Sequence, residues 1–423
     1  MRTANQLTFT TYEASLKIKP DDPIKVIFEN IDWSFVHLMA KDKYSSVPQG
    51  ADGYDPISLF KAQLLIYTGE VESDRKLAKA LRYNARLCYL CGFNFLKTPS
   101  HATFTYFRDR LGANTFYEIL HQLISQAWVL KVIHGGDTAI DSTHLWAYSN
   151  KDGKKSCSCK GKCEHEVVHS DPDARWGKKR KDYSFFGYKA HLIVDTKSQL
   201  PLEVTITGGN EEDTCQVKAL LEGAKAKHSG TVISSVAMDA AYDAYENYRF
   251  VIDDMKASPI IALNPRSEYT SKLGKISLAE DGSYRCEAGL ELIHSGTDKK
   301  RKRMKFRCPA VLGKCHCDLQ AACSPSKYGR TFYVSLYQDY RLRGPIPRGS
   351  EMWQEKYNGR TSVERAYSEE KGSHRLDDLR FRQMVKVRTH VYMALCAQVV
   401  KKIGVAITQK LSPAPTIACP VRA

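Results

Sequence analysis

The sequence predicts an α/β protein in which an all-helical N-terminal region precedes a domain built on a mixed β-sheet. Residues 1 to about 130 space their apolar side chains as amphipathic helices do. From Thr138 onward the pattern changes to short apolar runs of strand length. Because the helical pattern DTCQVKALLEGAKAK lies between the third and fourth runs, we expect three strands, a crossover helix and a parallel fourth strand.

Helix-forming segments fill the N-terminal region, and we interpret residues 1–130 as a separate helical domain. Asp55 and Pro56 predict a helix start, since an N-cap acid is followed by a proline at the first helical position. A further helix is expected to begin at Ser100 and to end at Gly112. Helical spacing is found in PIKVIFENIDWSFVHLMA, DPISLFKAQLLIYTG and DRKLAKALRYNARLCYLCGF.

The strand-like runs open a second domain, whose first part we assign to residues 131–264. Residues 265–330 interrupt it with basic, Cys-rich and Gly-containing sequence, which predicts an insertion. Residues 331–405 complete the domain, and the prolines within residues 406–423 predict a flexible tail. The runs are TAIDSTHLWAY, FFGYKAHLIVDT, LPLEVTITGG, TVISSVAMDAAY and SPIIALN.

The charge of the chain predicts a polyanionic partner. The 423 residues carry a formal net charge of +16, and a hydrophobic fraction of 43% is ordinary for a globular protein. Long-range attraction therefore favours nucleic acid or an anionic membrane. Because no amphipathic basic anchor stands out, we expect nucleic acid and no membrane.

The expected compartment is the cytoplasm. The N-terminus, MRTANQLTFTTYEAS, has no apolar run suited to a signal peptide, and no eighteen apolar residues follow one another. Thiols stay reduced in that compartment, so the 13 cysteines predict metal ligands where they cluster and simple packing where they are scattered.

Two acidic residues end strand-like runs. Asp141 lies in TAIDST and Asp239 in ISSVAMDAA, each at the polar end of an apolar stretch. A buried, unpaired carboxylate costs several kcal/mol, so a base or a metal ion is expected to satisfy it. Taken singly, each acid could equally cap a neighbouring loop.

The segment YNGRTSVERAYSEEK predicts a third acid beside two bases and a phenol. We expect one helix at 352–372 and another at about 377–402. On the first, a turn of about 100° per residue places the four polar side chains of one stripe within about 60° of one another. A solvated ion-pair helix could show the same pattern. With Glu364, the two aspartates give three carboxylates, the ligand type that Mg²⁺ requires. The residues of the stripe are Tyr357, Arg360, Glu364 and Lys371.

These residues match a family: the chain resembles the DDE transposases of bacterial insertion sequences, whose catalytic domain is of the ribonuclease H type. The family's three acids correspond to Asp141, Asp239 and Glu364. The four residues of the stripe fit the Tyr, two residues, Arg, three, Glu, six, Lys signature of one branch without a gap. The N-terminal pattern DPISLFKAQLLIYTGEVESDRKLAKAL is also similar to that branch.

The resemblance implies a two-metal active site. Asp141 would bridge two Mg²⁺ ions, with Mn²⁺ as a substitute, while Asp239 and Glu364 would each hold one of them. Two such ions about 4 Å apart supply what phosphodiester cleavage needs, namely an activated nucleophile and a stabilised leaving oxygen.

The rest of the signature is implied to contact DNA. Lys371 would bind DNA at the transposon end, and Tyr357 and Arg360 would assist near the scissile phosphate. A salt bridge from Arg360 or Lys371 back to Glu364 is the alternative. Gly359 departs from a uniform helix at a cost of about 1 kcal/mol relative to Ala, which favours a helix start there instead of at Tyr357.

The function implied is a metal-dependent DNA transposase that cuts the ends of its own element and joins the freed 3′ hydroxyl to target DNA. Its N-terminal domain would recognise terminal inverted repeats in double-stranded DNA, and a homodimer would pair two ends. The alternatives are a ribonuclease H-like DNA nuclease without strand transfer, a domesticated non-catalytic DNA-binding protein, and a zinc-dependent RNA-binding module.

Clustered cysteines raise the question of structural zinc. The insertion has enough thiolates for a four-ligand Zn²⁺ site, although it lacks a pair of CxxC knuckles. A second cluster lies in a lysine-rich loop, and its two alternative interpretations are a zinc site and a loop without a metal ion. The first cluster is Cys286, Cys308, Cys315, Cys317 and Cys323, and the second is Cys157, Cys159, Cys163 and His165.

Two basic runs, residues 175–183 and residues 299–307, interleave cations with aromatic side chains. A solvated face is the common reading of such a run, but DNA-backbone contact fits a DNA-cutting protein better. Neutralising about six phosphates would make log affinity fall with log salt at a slope of about −5.

Overall fold

A computed structural model of the protein describes most of the chain. The second cysteine cluster lies outside the described residues except for Cys157, and so do the insertion's first ten residues and the end of the predicted tail. The described ranges are 8–44, 53–155, 157, 167–180, 182–228, 230, 232–264, 275–279 and 282–411.

The chain forms two compact units, each assembled from separate segments. The predicted domain boundaries are a different partition, and they stay a prediction. The first unit comprises Met1–His134, Ser142–Glu211 and Glu364–Ala423. The second unit comprises Gly135–Asp141 and Glu212–Val363.

Among the described residues, seven helices precede the first strand, as the apolar spacing predicts. They are α1 (Phe9–Lys17), α2 (Pro23–Asn30), α3 (Ser34–Lys41), α4 (Pro56–Tyr67), α5 (Asp74–Tyr83), α6 (Ala85–Cys91) and α7 (His101–Val129). Later helices are α8 (Val217–Lys227), α9 (Tyr245–Arg249), α10 (Gln320–Cys323), α11 (Leu336–Leu342), α12 (Glu351–Asn358), α13 (Thr361–Ser373) and α14 (Met384–Leu411).

A side-chain cap starts α4 where the sequence indicates. Asp55 caps α4 by accepting a hydrogen bond from the Ser58 amide at 2.8 Å, and Pro56 follows it as the first helical residue. Ser100 precedes α7, but this helix does not end at Gly112 as predicted. Gly112 has φ 73° and ψ 160°, a conformation that glycine adopts readily, so the helix breaks there and then resumes to Val129.

The core of the first unit is built around α14, which packs against α2, α4, α7 and the sheet. Residues 384–409 are long and apolar enough for a membrane span by length and composition, but 67% of the tested window is buried within the protein, as expected for a core helix. The start predicted for the flexible tail, residue 406, is too early in the chain. Its first residues, 406–411, continue α14 because no proline interrupts the chain before Pro413.

Thirteen strands, from 2 to 13 residues long, are present in the described residues. The first eight are β1 (Gly136–Trp146), β2 (Lys154–Lys155), β3 (Val167–Val168), β4 (Arg175–Arg180), β5 (Tyr183–Asp195), β6 (Pro201–Gly208), β7 (Ile233–Met238) and β8 (Ser258–Ile261). The others are β9 (Ile276–Leu278), β10 (Tyr284–Cys286), β11 (Ile293–Asp298), β12 (Arg303–Arg307) and β13 (Thr331–Ser335).

The main sheet is mixed, as predicted. Its strand order is β4-β5-β1-β7-β8, with β6 also paired to β5. The β5–β6 and β4–β5 pairs are antiparallel, whereas β7 runs parallel to both β1 and β8. The crossover helix α8 connects β6 to the parallel strand β7, which confirms the expected order of three strands, helix and parallel strand.

The insertion in the second unit has its own small core. A two-stranded sheet pairs β9 with β10, and a three-stranded antiparallel sheet has the order β11-β12-β13. This sheet includes β13, which follows the predicted boundary at residue 330. The buried residues of the core are Ile276, Tyr284, Leu292, Met304, Phe306 and Val334.

A buried ion pair anchors α11 in the second unit. Arg341 donates two hydrogen bonds to the Asp243 carboxylate, and the side chains are 2% and 0% exposed. The Tyr337 hydroxyl also donates to Asp243 Oδ1, at 3.0 Å. A paired, hydrogen-bonded carboxylate can remain charged in this environment, whereas either partner alone would be an uncompensated buried charge.

Replacing Asp243 with Asn should lower the free energy of unfolding by about 3–5 kcal/mol, because Arg341 keeps its charge and loses its counterion. Thermal and urea unfolding of the full chain would measure the loss. Glu246→Gln, which removes an exposed partner of Arg249, is the matched control and should cost less than about 1 kcal/mol. Equal losses in the two variants would contradict this account of the pair.

Candidate active site

The parallel pairing of β1 with β7 sets the positions of the first two predicted acids. Ala139 on β1 lies opposite Ala237 on β7. β7 ends at Met238, and extending the register by two residues would bring Asp141 and Asp239 to the same level, since side chains two residues apart on a strand point to one face. Both acids are half-buried and belong to the second unit. Asp239 follows the carboxyl end of β7, and its approach to Asp141 stays a prediction.

Asp239 differs in its surroundings from Asp243, the other acid of the AMDAAYD segment. Asp239 caps the 3-10 turn Ala240–Tyr242, and its Oδ1 accepts a hydrogen bond from the Ala241 amide at 2.8 Å. Asp243 is fully buried and committed to Arg341. Of these two acids, Asp239 is the one accessible to a ligand.

Glu364 lies in the first turn of α13 and is exposed. It belongs to the first unit, whereas the two aspartates belong to the second. Its place on the helix agrees with the expectation of an acid on a helical segment. The meeting of all three acids stays a prediction.

Two other acids of α13 are buried or paired within the fold. Glu370 is fully buried, and desolvation raises the pKa of its carboxyl well above the usual range. The His374 ring, 3.7 Å from Glu369 Oε1, and Lys402 at 3.3 Å from Oε2 lower the pKa of Glu369 to about 2. Neither acid has the exposed position of Glu364.

The signature residues do not share one helix, contrary to the prediction of a continuous helix at 352–372. α12 ends at Asn358 and α13 begins at Thr361. At the junction the Arg360 amide donates to the Tyr357 carbonyl at 2.9 Å, an i to i−3 bond that tightens the turn. Gly359, a poor helix former, lies at this junction.

Tyr357 and Arg360 nevertheless remain neighbours in the second unit. The Arg360 guanidinium lies 5.9 Å from the centre of the Tyr357 ring, within cation–π range. Tyr357 also stacks on Trp353, with ring centres 4.9 Å apart and planes 13° from parallel. The stack fixes the phenol at the C-terminal end of α12.

Lys371 shares α13 with Glu364, and their seven-residue separation places them within about 20° on the helix. The Lys371 ammonium pairs with Asp377 Oδ1 at 3.1 Å. Its partner is thus Asp377 and not Glu364, which removes one of the salt bridges considered as an alternative.

A contact that the sequence did not reveal holds α12 in place. Lys356 Nζ lies 2.6 Å from Asp137 Oδ1, at the start of β1, and the Ser235 hydroxyl donates to the same oxygen. Helix α12 also packs on β7 and β8. The only sequence signal was Asp137 at the polar start of an apolar run. This pair positions the helix that carries Tyr357 against the strand that carries Asp141.

Two family models match the chain. The model described as "Transposase DDE domain" matches residues 135–400, which is more than half of the chain. The chain belongs to the DDE transposase family. The model described as "Transposase domain (DUF772)" matches residues 12–110, within the helical N-terminal region. The predicted resemblance is confirmed at both ends of the chain.

Two individual proteins are also similar to this member of the DDE transposase family. It is 36% identical over 77 residues to a Brucella ovis protein named as a transposase for insertion sequence element IS6501. That match covers 18% of the chain, and the chain spans about half (54%) of the length of this curated relative. A solved piggyBac transposase synaptic complex with hairpin DNA is 10% identical, with a TM-score of 0.39, over 94% of this chain and 77% of that one.

DDE transposases generally use divalent metal ions. Within the part of the chain that the structure describes, no three His, Cys, Asp or Glu side chains are arranged to hold one ion. Oxygen donors such as aspartate carboxylates suit Mg²⁺ or Mn²⁺ chemically. Asp141 and Asp239 supply such donors within the second unit, and Glu364 belongs to the first.

The predicted zinc ligands of the insertion are gathered only in part. Cys286, Cys308, Cys317 and Cys323 line one cavity of about 260 Å³ in the second unit. Cys315 is exposed and outside this lining. Because no three of the described thiols are arranged around a common ion, the structure does not support the zinc prediction.

Replacing Glu369 with Gln should destabilise the chain at neutral pH and matter less in acid. The pKa of about 2 in the folded chain lies below the ordinary value of 4.5, so Glu369 stabilises the fold above the ordinary pKa and loses this effect as the pH falls toward about 2. Urea midpoints of the parent and variant, measured from neutral pH to about pH 3, should therefore converge. In the control Glu222→Gln, an exposed site, the difference should stay small throughout. A Glu369→Gln difference that is independent of pH would contradict this assignment.

Proposed function

We propose that this chain is a DNA transposase that cuts DNA at the ends of its own element and joins the freed 3′ hydroxyl to target DNA. Its family membership supports the class of reaction. The observation that supports the assignment of residues is the β1–β7 register, whose last pair, Ala139 and Ala237, lies two residues before Asp141 and Asp239. Two half-buried carboxylates just beyond the last paired residues of two parallel strands are suited to binding a divalent cation.

The three acids would hold two Mg²⁺ or Mn²⁺ ions. Asp141 and Asp239 come from the second unit, and Glu364 comes from the first. The ions, when bound, would activate the attacking oxygen and stabilise the charge on the leaving oxygen. The protein's part is to present carboxylate oxygens and to orient the DNA phosphate beside them.

Arg360 and Lys371 are proposed to bind phosphates of the DNA next to the cleaved bond. The Arg360 guanidinium can donate two parallel hydrogen bonds to one phosphate, and its packing near Tyr357 limits its orientations. Lys371 pairs with Asp377, which is 46% exposed, so a phosphate would compete for the ammonium at a site open to solvent. Tyr357 would support Arg360 from its stacked position.

The helical N-terminal region is proposed to recognise the terminal inverted repeats. Its helix α5 buries Leu77 and Leu81 on one side, and cations dominate the opposite exposed side. Such a helix can contact the phosphate backbone along one face. The exposed cations are Arg75, Lys76, Lys79 and Arg82. A cytoplasmic homodimer that pairs two ends completes the proposal.

Asp141→Asn, Asp239→Asn and Glu364→Gln should each lower end cleavage and strand transfer about 100-fold or more. Losing one charged ligand removes several kcal/mol of transition-state stabilisation, and each 1.36 kcal/mol is about tenfold in rate. The assay follows a labelled end of the element, taken from the DNA flanking the gene, into plasmid in Mg²⁺ or Mn²⁺. DNA affinity measured by gel shift should stay near that of the parent.

Glu222→Gln is the matched control, because it removes an exposed carboxylate of the second unit that is distant in sequence from the three acids, and it should keep full activity. Cleavage without joining would identify a nuclease instead. DNA binding without either reaction would identify a non-catalytic protein. Full activity in any one of the three acid variants would remove that acid from the proposed site.

A further inference from the structure

The strand β12 of the insertion separates its side chains onto two faces. Met304 and Phe306 are buried in the small core of the insertion. The alternating residues Arg303, Lys305 and Arg307 point to the opposite face, because successive side chains of a strand alternate. Lys305 is exposed, and the two arginines are half-buried. Three cations thus form one row on the outer face of the β11-β12-β13 sheet.

An aromatic side chain lies within this row. The antiparallel register places Tyr333 of β13 opposite Lys305. Tyr333 is 49% exposed, and the Arg303 guanidinium lies 4.2 Å from the centre of its ring. A guanidinium held against a ring keeps its outward N–H groups available and loses little freedom on binding. The outer face therefore combines preorganised cations with an exposed ring.

The turn that precedes β12 extends the row. Seven cations lie between Lys299 and Arg307. Asp298 lies 3.8 Å from Arg301, and Glu246 lies 3.1 Å from Lys302. With these two acids subtracted, the segment keeps five positive charges on a surface that the apolar core holds in a fixed shape.

We propose that this outer face, formed by Arg303, Lys305, Arg307, Tyr333 and the turn at residues 299–302, binds the phosphate backbone of double-stranded DNA. The charge is complementary to a polyanion, and cations beside an exposed ring are typical of nucleic-acid surfaces. An anionic membrane is disfavoured because the row presents one phenol and no aliphatic side chains for insertion. The inference rests on the proposed DNA-cutting function, since it assigns the DNA a contact surface on the unit that carries Asp141 and Asp239.

Backbone contacts of this kind add affinity without reading sequence. Each phosphate that a cation neutralises contributes about −0.9 to the slope of log affinity against log salt. The face would therefore hold DNA of any sequence, and its removal would weaken binding to element ends and to unrelated DNA by the same factor.

The test compares the full chain with a triple variant, Arg303→Gln, Lys305→Gln and Arg307→Gln. Gel shift or fluorescence anisotropy with duplex DNA, over a range of salt, should show a slope shallower by about 2.7. Weaker binding should appear equally with element-end and unrelated duplexes. Since the substituted side chains lie outside the small core, the unfolding temperature should change little.

The matched control removes three cations of α8 in the same unit, with Lys218→Gln, Lys225→Gln and Lys227→Gln. It makes the same change in net charge, so the salt slope should stay within about 1 of the parent slope. An equal flattening in both triple variants would assign the effect to overall charge and overturn the proposal. Parental affinity and slope in the β12 variant would overturn it as well.

Two further arms separate this proposal from its alternatives. All binding is measured in an Asp141→Asn background, so a failure of strand transfer leaves the binding result interpretable. Strand transfer itself is measured in the chain with Asp141 intact. If it is absent there but the β12 variant alone loses DNA affinity, the surface stands and the proposed reaction falls. Vesicles rich in phosphatidylserine provide the last arm: binding to them through β12, without binding to DNA, would overturn the assignment to nucleic acid.

Discussion

The parallel register between β1 and β7 is the constraint on which the proposed chemistry depends. Hydrogen bonds between neighbouring backbones fix which residues lie opposite each other, and the pair Ala139–Ala237 sets the level reached two residues later. A slip of one residue would turn one aspartate to the opposite face of the sheet. The crossover helix α8 makes the parallel arrangement possible, since parallel strands need a long connection. Ala139 and Ala237, two residues before Asp141 and Asp239, are paired in this register although they are 98 residues apart in sequence.

Burial and pairing divide the acids of this protein into structural and accessible groups. Asp243 is held by a buried arginine, Glu370 is desolvated, and Glu369 is held by His374 and Lys402. These groups stabilise the fold in a defined charge state and offer little to a ligand. Asp239 and Glu364, by contrast, lie at the start of a 3-10 turn and of an α-helix, where solvent can reach them. The cations divide in the same way, because Arg341 is buried in an ion pair, whereas the row on β12 faces outward.

Much of the fold followed from local patterns. The N-cap at Asp55, the helical spacing before residue 130 and the order of strands around α8 were all readable, because each depends on neighbouring residues. Predictions failed where a local signal had competing outcomes. Gly112 breaks α7 without ending it, the signature segment forms two helices around Gly359, and α14 continues through residues 406–411. In each place packing or a single flexible residue decided between outcomes that the sequence alone permits.

The sequence by itself determined which side chains are available, since Asp141, Asp239 and Glu364 fit a recognisable pattern and family models match both regions of the chain. Only the tertiary structure decided which neighbours they have. It paired β1 with β7 just before the two aspartates, gave Lys371 the partner Asp377, joined Lys356 to Asp137 and turned the cations of β12 away from the core. The physical reason is that the type of each residue belongs to its own position in the chain, whereas burial and pairing arise from contacts between segments far apart in the chain.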